Sequence, residues 1–303
     1  MKTSELDLVF ISYDEPNADL NYSDLVNKAP WAKRLHGVKG SDAAHKEAAK
    51  LSDTDFFITV DADNIVDDKF FHQDLNMSDQ SVKVYGWCGY NKLNGLRYGN
   101  GGIKIWNKYF VLNMKTHEAA EKDTSQIDFC WEEGYKNFAK AFSVVDILSS
   151  PKQAWRAGFR EGVKMTLKDG IKVDAQSLTQ QIWWHNLHRL RMWSTVGAHE
   201  KNGIYAIYGA RLGTWLANCT DWNYIEVRDF EILNGIWNQY GRPYEEMHGD
   251  GLETAIKSIG EKIKHQLGLD WPWLDSKQSQ YVLDLYNETI NLSLTYHMRD
   301  INV

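Results

Sequence analysis

The chain has 303 residues with 43% hydrophobic and 25% charged side chains, which is typical of a globular protein large enough to bury a substantial core. Its net charge of −7 argues against indiscriminate nucleic-acid binding but does not exclude a local basic surface. It has no signal-peptide segment, no apolar stretch near the roughly 20 residues that span a bilayer, and no disulfide or metal-ligand spacing among its three cysteines, which predicts a cytoplasmic protein without a membrane segment.

The first elements along the chain are predicted to be a strand, a helix and a second strand. Short apolar, β-branched runs at residues 6–12 and 56–60 predict buried strands. Between them, an alanine-rich run from Ser41, the expected N-cap, to about Leu51 predicts a helix. Strand, helix and strand at this spacing form a βαβ unit, so we expect an α/β fold with a parallel sheet.

Two carboxylates follow the second of these strands. Asp61 and Asp63 flank one small residue, and positions two apart in an extended chain point to the same face. A right-handed crossover would bring Asp14, which follows the first strand, to the same edge of the sheet, where ligands of open α/β sheets bind. Hard oxygen donors at this edge suit Mg²⁺ or Mn²⁺ bridging a diphosphate. The structural alternative is a polar turn that closes a strand.

Alternating apolar and polar residues predict two further strands, at residues 82–87 and 98–106. The second contains the glycine cluster Gly99-Asn100-Gly101-Gly102. These glycines either allow a close approach of the backbone to a ligand or form a hairpin turn.

A helix is predicted to begin at Ser150-Pro151, with Ser150 as the cap, and to close at Gly170. Five cations follow one another at four-residue steps, and we call them the cationic ladder: Lys152, Arg156, Arg160, Lys164 and Lys168. In an acidic protein the ladder could track a phosphate backbone, or Arg156 and Arg160 could hold the diphosphate of a sugar nucleotide. A solvated helix face is the alternative.

The rest of the chain is predicted to be largely helical. A helix over about 175–193 carries aromatic and imidazole side chains that could stack a sugar or an extruded base, although packing in the core is the favoured interpretation. These side chains are Trp183, Trp184, His185, His188 and Trp193. Near the C-terminus two amphipathic helices are predicted, and the first carries this apolar row at helical spacing: Leu252, Ile256, Ile259, Ile263 and Leu267.

The order of these elements resembles the nucleotide-binding half of GT-A fold glycosyltransferases, especially family 2. The resemblance covers about residues 6–135 and rests on the glycine-containing start at 37–40, the alanine-rich helix, the apolar strand and then Asp-x-Asp at 61–63. It implies a Rossmann-like mixed sheet flanked by helices and a helical C-terminal region. The implied domains are residues 1–150, which bind the nucleotide sugar, and 151–303, which shape the acceptor side and pack with the first domain as one unit.

The same resemblance implies where the donor and the metal bind. Asp61 and Asp63 would hold Mn²⁺ or Mg²⁺ beneath the diphosphate of a nucleotide sugar, taken as a UDP-sugar, and so neutralise the leaving nucleotide. The implied donor-site residues are Tyr13, Asp14, Glu15, Lys39 and Asp61. A His near the C-terminus often completes the metal site in this fold. His199 is our candidate, with His248 next, and a solvated loop His is the alternative.

The catalytic base departs from the family pattern. The frame at residues 125–135 matches the family, but Ser125 and Gln126 stand where a Glu-Asp pair is usual. A Gln amide cannot accept the proton of an acceptor hydroxyl. Either Asp128 or Asp123 is then the base, or the enzyme retains anomeric configuration without a conventional base. A structural role for Asp128 as a helix cap fits equally well.

Residues 11–19, Ile-Ser-Tyr-Asp-Glu-Pro-Asn-Ala-Asp, are similar to a subgroup in bacteriophage genomes that is associated with hypermodified pyrimidines and TET/JBP-type base oxidation. This implies an acceptor in double-stranded DNA, a hydroxylated pyrimidine such as a 5-hydroxymethyl base, and a site of action in the host cytoplasm. One rival is a glycosyltransferase for surface polysaccharide or a small molecule, which would have no use for the cationic ladder. The other is a GT-A-like module that binds nucleotide or DNA without turnover.

Overall fold

The computed structural model describes residues 1–99, 101–118, 129–130, 132–246 and 250–300, and side chains as far as residue 290. Within it the chain forms two compact units. The first consists of Met1–Lys92 with Leu96–Ser149, and the second of Leu93–Gly95 with Ser150–Val303. The first unit contains a mixed β-sheet flanked by helices and the second is mainly helical. The predicted α/β fold, a Rossmann-like mixed sheet with a helical C-terminal region, is therefore confirmed.

The described strands of the first unit are β1 (Asp7–Ser12), β2 (Lys33–His36), β3 (Phe56–Asp61), β4 (Asn64–Val66), β5 (Val84–Asn91), β6 (Arg97–Tyr98), β7 (Ile103–Asn107) and β8 (Tyr135–Val145). They form one sheet in the order β2-β1-β3-β7-β5-β8-β4, with β6 on β5. The strands β2, β1 and β3 are parallel, β7 is antiparallel to both β3 and β5, and β8 is parallel to β5. The carboxyl ends of β1, β3, β5 and β8 consequently lie at one edge.

Helices cover both faces of this sheet. They are α1 (Ala18–Lys28), α2 (Ser41–Leu51) and α3 (Lys108–Asn113). On one face α1 packs with Leu8 and Phe10, and on the other α2 and α3 pack with Val9 and Phe57. Alternate residues of a strand point to opposite faces. Burial of both faces therefore explains why β1 and β3 are continuous apolar runs in the sequence.

The helix α2 begins at Ser41, but Ser41 is not its cap. Gly40 occupies the N-cap position with φ of 92° and no side chain to offer. Instead the carboxylate of Glu118 accepts hydrogen bonds from the main-chain N–H groups of Ser41 and Asp42, at 2.6 and 3.1 Å. An acidic side chain from a distant part of the chain thus satisfies the helix N-terminus, a role that the sequence assigned to Ser41.

The described helices of the second unit are α4 (Pro151–Lys164), α5 (Leu178–Gln181), α6 (Trp184–Thr195), α7 (Gly203–Cys219), α8 (Phe230–Ile236), α9 (Arg242–Glu246), α10 (Gly251–Leu267) and α11 (Ser276–Asp300). As predicted, Ser150 caps α4 by accepting from the N–H of Gln153, and the apolar row of α10 is buried. No helix in the described part of the chain is long and apolar enough to cross a membrane.

Glycines bring the backbones of α4 and α7 into direct contact. A Cβ atom on Gly158 or Gly162 of α4 would collide with main-chain carbonyls of α7, and one on Gly209 would collide with the carbonyl of Trp155. Each helix therefore supplies glycines where the other passes closest. This packing stabilises a glycine-containing helix that intrinsic propensity disfavours.

Two sequence predictions about this unit are wrong in detail. The helix α4 ends at Lys164, and Gly170, with φ of 81°, lies in the turn of a short hairpin formed by β9 (Leu167–Lys168) and β10 (Ile171–Lys172). The single helix predicted over 175–193 is interrupted: a 3₁₀ turn and α5 precede α6, which begins only at Trp184.

Candidate functional site

The sheet reverses its direction of winding at the carboxyl ends of β1 and β3. From β1 the chain passes through α1 to β2 on one side, and then returns through α2 to β3 on the other side of β1. Ligands of open α/β sheets bind at such a topological switch point. Asp61 ends β3 there, and Tyr13, Asp14 and Glu15 follow β1 there. The structure therefore brings these predicted site residues to one edge of the sheet.

The segment Asp61–Asp63, which we call the acidic turn, is fixed by three hydrogen bonds to its main chain. The buried amide of Asn21 in α1 donates to its central carbonyl at 2.8 Å. The N–H of its first residue donates to the carbonyl of Gly102 at 2.9 Å, and the carbonyl of its last residue accepts from the N–H of Asp146 at 2.8 Å. Three separate parts of the chain thus hold this turn in place.

The side chain of Asn64 connects the acidic turn to β8. Its Nδ2 donates to Oδ1 of Asp63 at 2.7 Å, and its Oδ1 accepts from the hydroxyl of Ser143 at 2.7 Å. A Cβ atom on Gly102 would collide with the Asn64 amide and lie 2.9 Å from Cβ of Asp61. At Gly102 the glycine cluster therefore serves close packing of the protein against its own acidic turn.

Negative charge is concentrated at this turn. Burial, and after it the charges of Asp61 and Glu15, raises the pKa of Asp63 to about 7, although the hydrogen bond from Asn64 opposes the shift. Three carboxyl groups thus interact at the edge where β1 and β3 end. A carboxyl with this pKa is only partly ionised at neutral pH, and a cation bound beside it would favour the ionised form.

The donor set suits Mg²⁺ or Mn²⁺. Such ions prefer oxygen ligands, and Mg²⁺ is usually held by one or two carboxylates, with waters and substrate phosphates completing its shell. Among the residues described, no three or more His, Cys, Asp or Glu side chains are grouped so that they could hold a metal ion. The protein would therefore offer Asp61 and Asp63 and leave the other positions to phosphate and water.

The loop after β1 and the loop after β2 are joined. The N–H of Gly37 donates to the carbonyl of Ser12 at 3.0 Å, so Lys39, which is exposed, lies on the loop that meets the end of β1. The side chain of Tyr13 is 40% exposed, and Glu15 accepts from the main-chain N–H of Tyr13 at 2.7 Å. The predicted donor residues of the first unit thus share one edge.

Several side chains at this edge escaped the sequence analysis. Arg34 of β2 pairs with Asp19 at 2.7 Å and donates to the hydroxyl of Ser12 at 3.1 Å. His45 of α2 is buried, which lowers its pKa, and the charge of Asp61 acts on it in the opposite direction. For Asn21 the sequence offers a local indication of burial, because this polar residue lies three positions after Ala18, on the same face of a helix. The helix α1 that carries both residues was not predicted.

The remaining predicted residues that the structure describes lie in the second unit. The guanidinium carbons of Arg156 and Arg160 lie 4.7 and 5.3 Å from the ring centroid of Phe230, and both side chains are partly buried. The Nδ1 of His199 lies 2.9 Å from the hydroxyl of Ser279, and burial lowers the pKa of this His. Their assignments to donor and metal stay predictions.

Three predicted residues, Asp123, Asp128 and His248, lie outside the described residues. The choice of catalytic base therefore also stays a prediction. For the aromatic cluster the outcome is divided. Trp193 is buried, as the core interpretation requires, whereas Trp183 and Trp184 are 48% and 77% exposed. The core interpretation is wrong for these two side chains.

Known proteins show only weak similarity to this chain. No protein-family model and no curated protein matches the chain. Among solved structures, a glycosyltransferase involved in the glycosylation of the major capsid of PBCV-1 is 13% identical, with a TM-score of 0.23 over 35% of this chain and 61% of its own. HddC from Yersinia pseudotuberculosis is 16% identical, with a TM-score of 0.26 over 45% of this chain and 70% of its own. Similarities this weak carry no argument about activity.

Proposed function

We propose that this chain is a metal-dependent glycosyltransferase of the GT-A type, which transfers a sugar from a nucleotide sugar, taken as a UDP-sugar, to an acceptor hydroxyl. The observation that carries the proposal is the acidic turn at the topological switch point. There two carboxylates that suit Mg²⁺ or Mn²⁺ lie beside the loop that follows β1. This is the place and the donor set that a nucleoside diphosphate with its cation requires.

Each residue at this edge has a definite role in the proposal. Asp61 and Asp63 hold the cation, which when bound neutralises charge on the leaving nucleoside diphosphate. The exposed ring of Tyr13 stacks on the nucleobase. The carboxylates of Asp14 and Glu15 accept hydrogen bonds from the N–H groups of the nucleobase. Lys39 offers a positive charge on the neighbouring loop.

Other residues orient these groups or move the proton. Asn21 holds the main chain of the acidic turn, and Asn64 holds the carboxylate of Asp63. These hydrogen bonds keep the two carboxylates in place before the cation and the donor bind. Asp128 or Asp123 accepts the proton of the acceptor hydroxyl as it attacks the sugar. His199 is the proposed additional metal ligand.

We propose a hydroxylated pyrimidine in double-stranded DNA, such as a 5-hydroxymethyl base, as the acceptor. This finer assignment is supported by the likeness of residues 11–19 to phage DNA-modifying enzymes and by the cationic ladder of an otherwise acidic chain. In the ladder, Arg156 and Arg160 are the proposed contacts of phosphate, either of the DNA backbone or of the donor diphosphate.

Mass spectrometry of nucleosides tests both levels of the proposal. Hydroxymethylated duplex DNA is incubated with the protein, Mn²⁺ and a panel of nucleotide sugars, and then digested. We expect one nucleoside to gain the mass of a glycosyl unit, and we expect no gain with unmodified DNA, which lacks the nucleophilic oxygen. The Asp61→Asn variant is the control, because its amide keeps the shape of the side chain but removes the charge.

The outcomes separate the rival functions. Transfer to a free or lipid-linked saccharide, with none to DNA, would identify the polysaccharide or small-molecule enzyme. No transfer and no hydrolysis of any donor would identify a binding module without turnover. Either result would overturn the proposal that DNA is the acceptor, and the second would also overturn the proposal that the chain is a glycosyltransferase.

A further inference from the structure

Adjacent aromatic side chains are exposed at the start of α6. Trp184 is 77% and Trp183 48% exposed. The ring of His185 is parallel to that of Trp183 within 6°, with centroids 6.2 Å apart. We call these three side chains the α6 aromatic platform. Neighbouring exposed indoles form the kind of apolar surface that marks a binding site.

The β9–β10 hairpin holds this platform in position. The carboxylate of Asp169 accepts a hydrogen bond from the indole N–H of Trp183 at 3.3 Å, and Nζ of Lys168 lies 5.9 Å from the centre of that indole. Asp169 adopts a left-handed backbone conformation, with φ of 52°, which is uncommon for a residue other than glycine. The hairpin therefore fixes one indole and places a cation beside it.

Cations outnumber carboxylates beside the platform: Lys168, Arg189 and Arg191 lie on the hairpin and on α6, together with the carboxylate of Asp169 that bonds Trp183. Residues 175–198 contain no Asp or Glu, in a chain with 41 acidic residues. Trp184, His188 and Arg191 are all exposed, and their spacing of four and three residues places them on one face of α6. An anionic ligand with aromatic groups complements this face.

We propose that the α6 aromatic platform binds single-stranded nucleic acid, with bases stacked on Trp183 and Trp184 and phosphates paired with Lys168 and Arg191. Every base has a face that stacks on an indole, and cations beside the aromatic rings neutralise the backbone. Trp184 and Arg191 are two turns apart, about 10 Å along the helix, which is the span of one to two nucleotides. The same surface would receive a base extruded from a duplex.

Nucleic acid fits this face better than a membrane surface. The exposed side chains on this face of α6 are an indole, an imidazole and a guanidinium. A helix that lies in a bilayer interface instead needs a broad apolar side that inserts among acyl chains. The inference concerns binding alone and stands whether or not the chain transfers a sugar. Its test accordingly uses neither a donor nor a metal.

Fluorescence anisotropy of a labelled 20-nucleotide oligo(dT) with the full-length protein tests the inference. We expect saturable binding that the double variant Trp183→Ala/Trp184→Ala weakens by about 10- to 100-fold. The matched control is Tyr109→Ala, which removes an aromatic side chain that is also 77% exposed but lies in the first unit. This control should bind like the wild type.

A second variant covers the case in which loss of both indoles disturbs folding. Lys168→Gln/Arg191→Gln keeps the platform and should reduce the slope of log affinity against log salt by up to about 1.4, since each phosphate contact on a single strand contributes about 0.7. An unchanged affinity and slope in both double variants would overturn the proposal. So would binding to anionic phospholipid vesicles that depends on the two tryptophans while oligo(dT) does not bind.

Discussion

The side-chain amide of Asn21 donates a hydrogen bond of 2.8 Å to the carbonyl of Ala62, the residue between Asp61 and Asp63. The two partners are both buried and come from α1 and from the turn after β3. Through this bond α1 holds both proposed metal ligands in position. Asn21 is thus a positioning residue for a site that it does not itself touch.

We expect Asn21→Ala to lower the free energy of unfolding by about 1 to 2 kcal/mol, because a buried carbonyl loses its partner. We also expect Mn²⁺ affinity to fall by about 10-fold or more, as is usual when groups that orient metal ligands are removed. Calorimetric titration of Mn²⁺ measures the second effect. The control is Asn113→Ala, which removes an exposed bond of the same length to the carbonyl of Tyr109. Equal Mn²⁺ affinities of the two variants would contradict the role of Asn21.

The raised pKa of Asp63 predicts how stability depends on pH. Its folded-state pKa of about 7 lies above the unfolded value of about 3.9, so the folded state binds the extra proton. The metal-free protein should therefore lose stability between about pH 4 and pH 7, as the charge of Asp63 forms in a partly buried place beside two other carboxylates. Asp63→Asn should raise the free energy of unfolding by about 1 to 2 kcal/mol at pH 8, allowing for screening of a partly exposed group, and by little at pH 4.

Urea unfolding at several pH values measures this difference. Asp53→Asn is the matched control, because its carboxylate is 95% exposed and should show no such trend. Mn²⁺ should then raise the thermal midpoint of the wild type at pH 8 and leave that of Asp63→Asn unchanged. A variant that is less stable than the wild type at pH 8 would show that Asp63 stabilises the metal-free fold.

A buried guanidinium organises the helical unit. Arg211 of α7 is 1% exposed, and it donates to four main-chain carbonyls, those of Ser194, Ile256, Trp271 and Pro272. Burial lowers its pKa to about 10. The positive charge is thus balanced by carbonyl dipoles, which include that of Ser194 in the last turn of α6.

We expect Arg211→Met to lower the free energy of unfolding by about 3 to 5 kcal/mol, because four carbonyls are left without this donor. Arg211→Lys should recover only part of this loss, since a compact ammonium group lacks the planar fork of donors with which the guanidinium reaches four carbonyls. Urea denaturation followed by circular dichroism measures both variants against Arg242→Met, which alters an exposed pair with Glu246. A change below about 1 kcal/mol in Arg211→Met would contradict the organising role.

The cationic ladder can be tested separately from the aromatic platform. If Arg156 and Arg160 contact phosphate, replacing both with Ala should flatten the dependence of log DNA affinity on log salt by up to about 2. Phe230→Ala is the control, because it removes the ring on which both guanidinium groups lie and keeps both charges. It should lower the free energy of unfolding by about 1 kcal/mol and preserve the salt slope. An unchanged slope in the double Arg variant would favour the alternative interpretation of the ladder as a solvated helix face.

The sheet elements that could be predicted are those whose signal is local. The apolar runs of β1 and β3 are buried on both faces, and that burial is visible in the residues themselves. The strand β2 was not predicted, because its four residues are largely polar and become a strand through pairing with β1. The helix α7 was missed because its glycines disfavour a helix until α4 packs against them.

The site likewise has a part that could be predicted from the sequence and a part that could not. Asp61 and Asp63 could be proposed from the sequence because they adjoin a strand end, which is a short-range feature. The groups that hold them, Asn21, Gly102 and Asp146, are far away along the chain and meet the acidic turn only in the folded sheet. The indoles of Trp183 and Trp184 were predicted to lie in the core because aromatic clusters usually do. In the structure Trp183 precedes α6 and Trp184 begins it, and both are exposed.

Release of nucleoside diphosphate from a nucleotide sugar, measured with and without Mn²⁺ on purified protein and hydroxymethylated DNA, tests the central claim most directly. We predict release that requires Mn²⁺, stops on addition of EDTA, and is absent from Asp61→Asn and Asp63→Asn variants that retain the wild-type circular dichroism spectrum. Full release in EDTA, or wild-type turnover by both variants, would contradict the assignment of the acidic turn as the metal and diphosphate site.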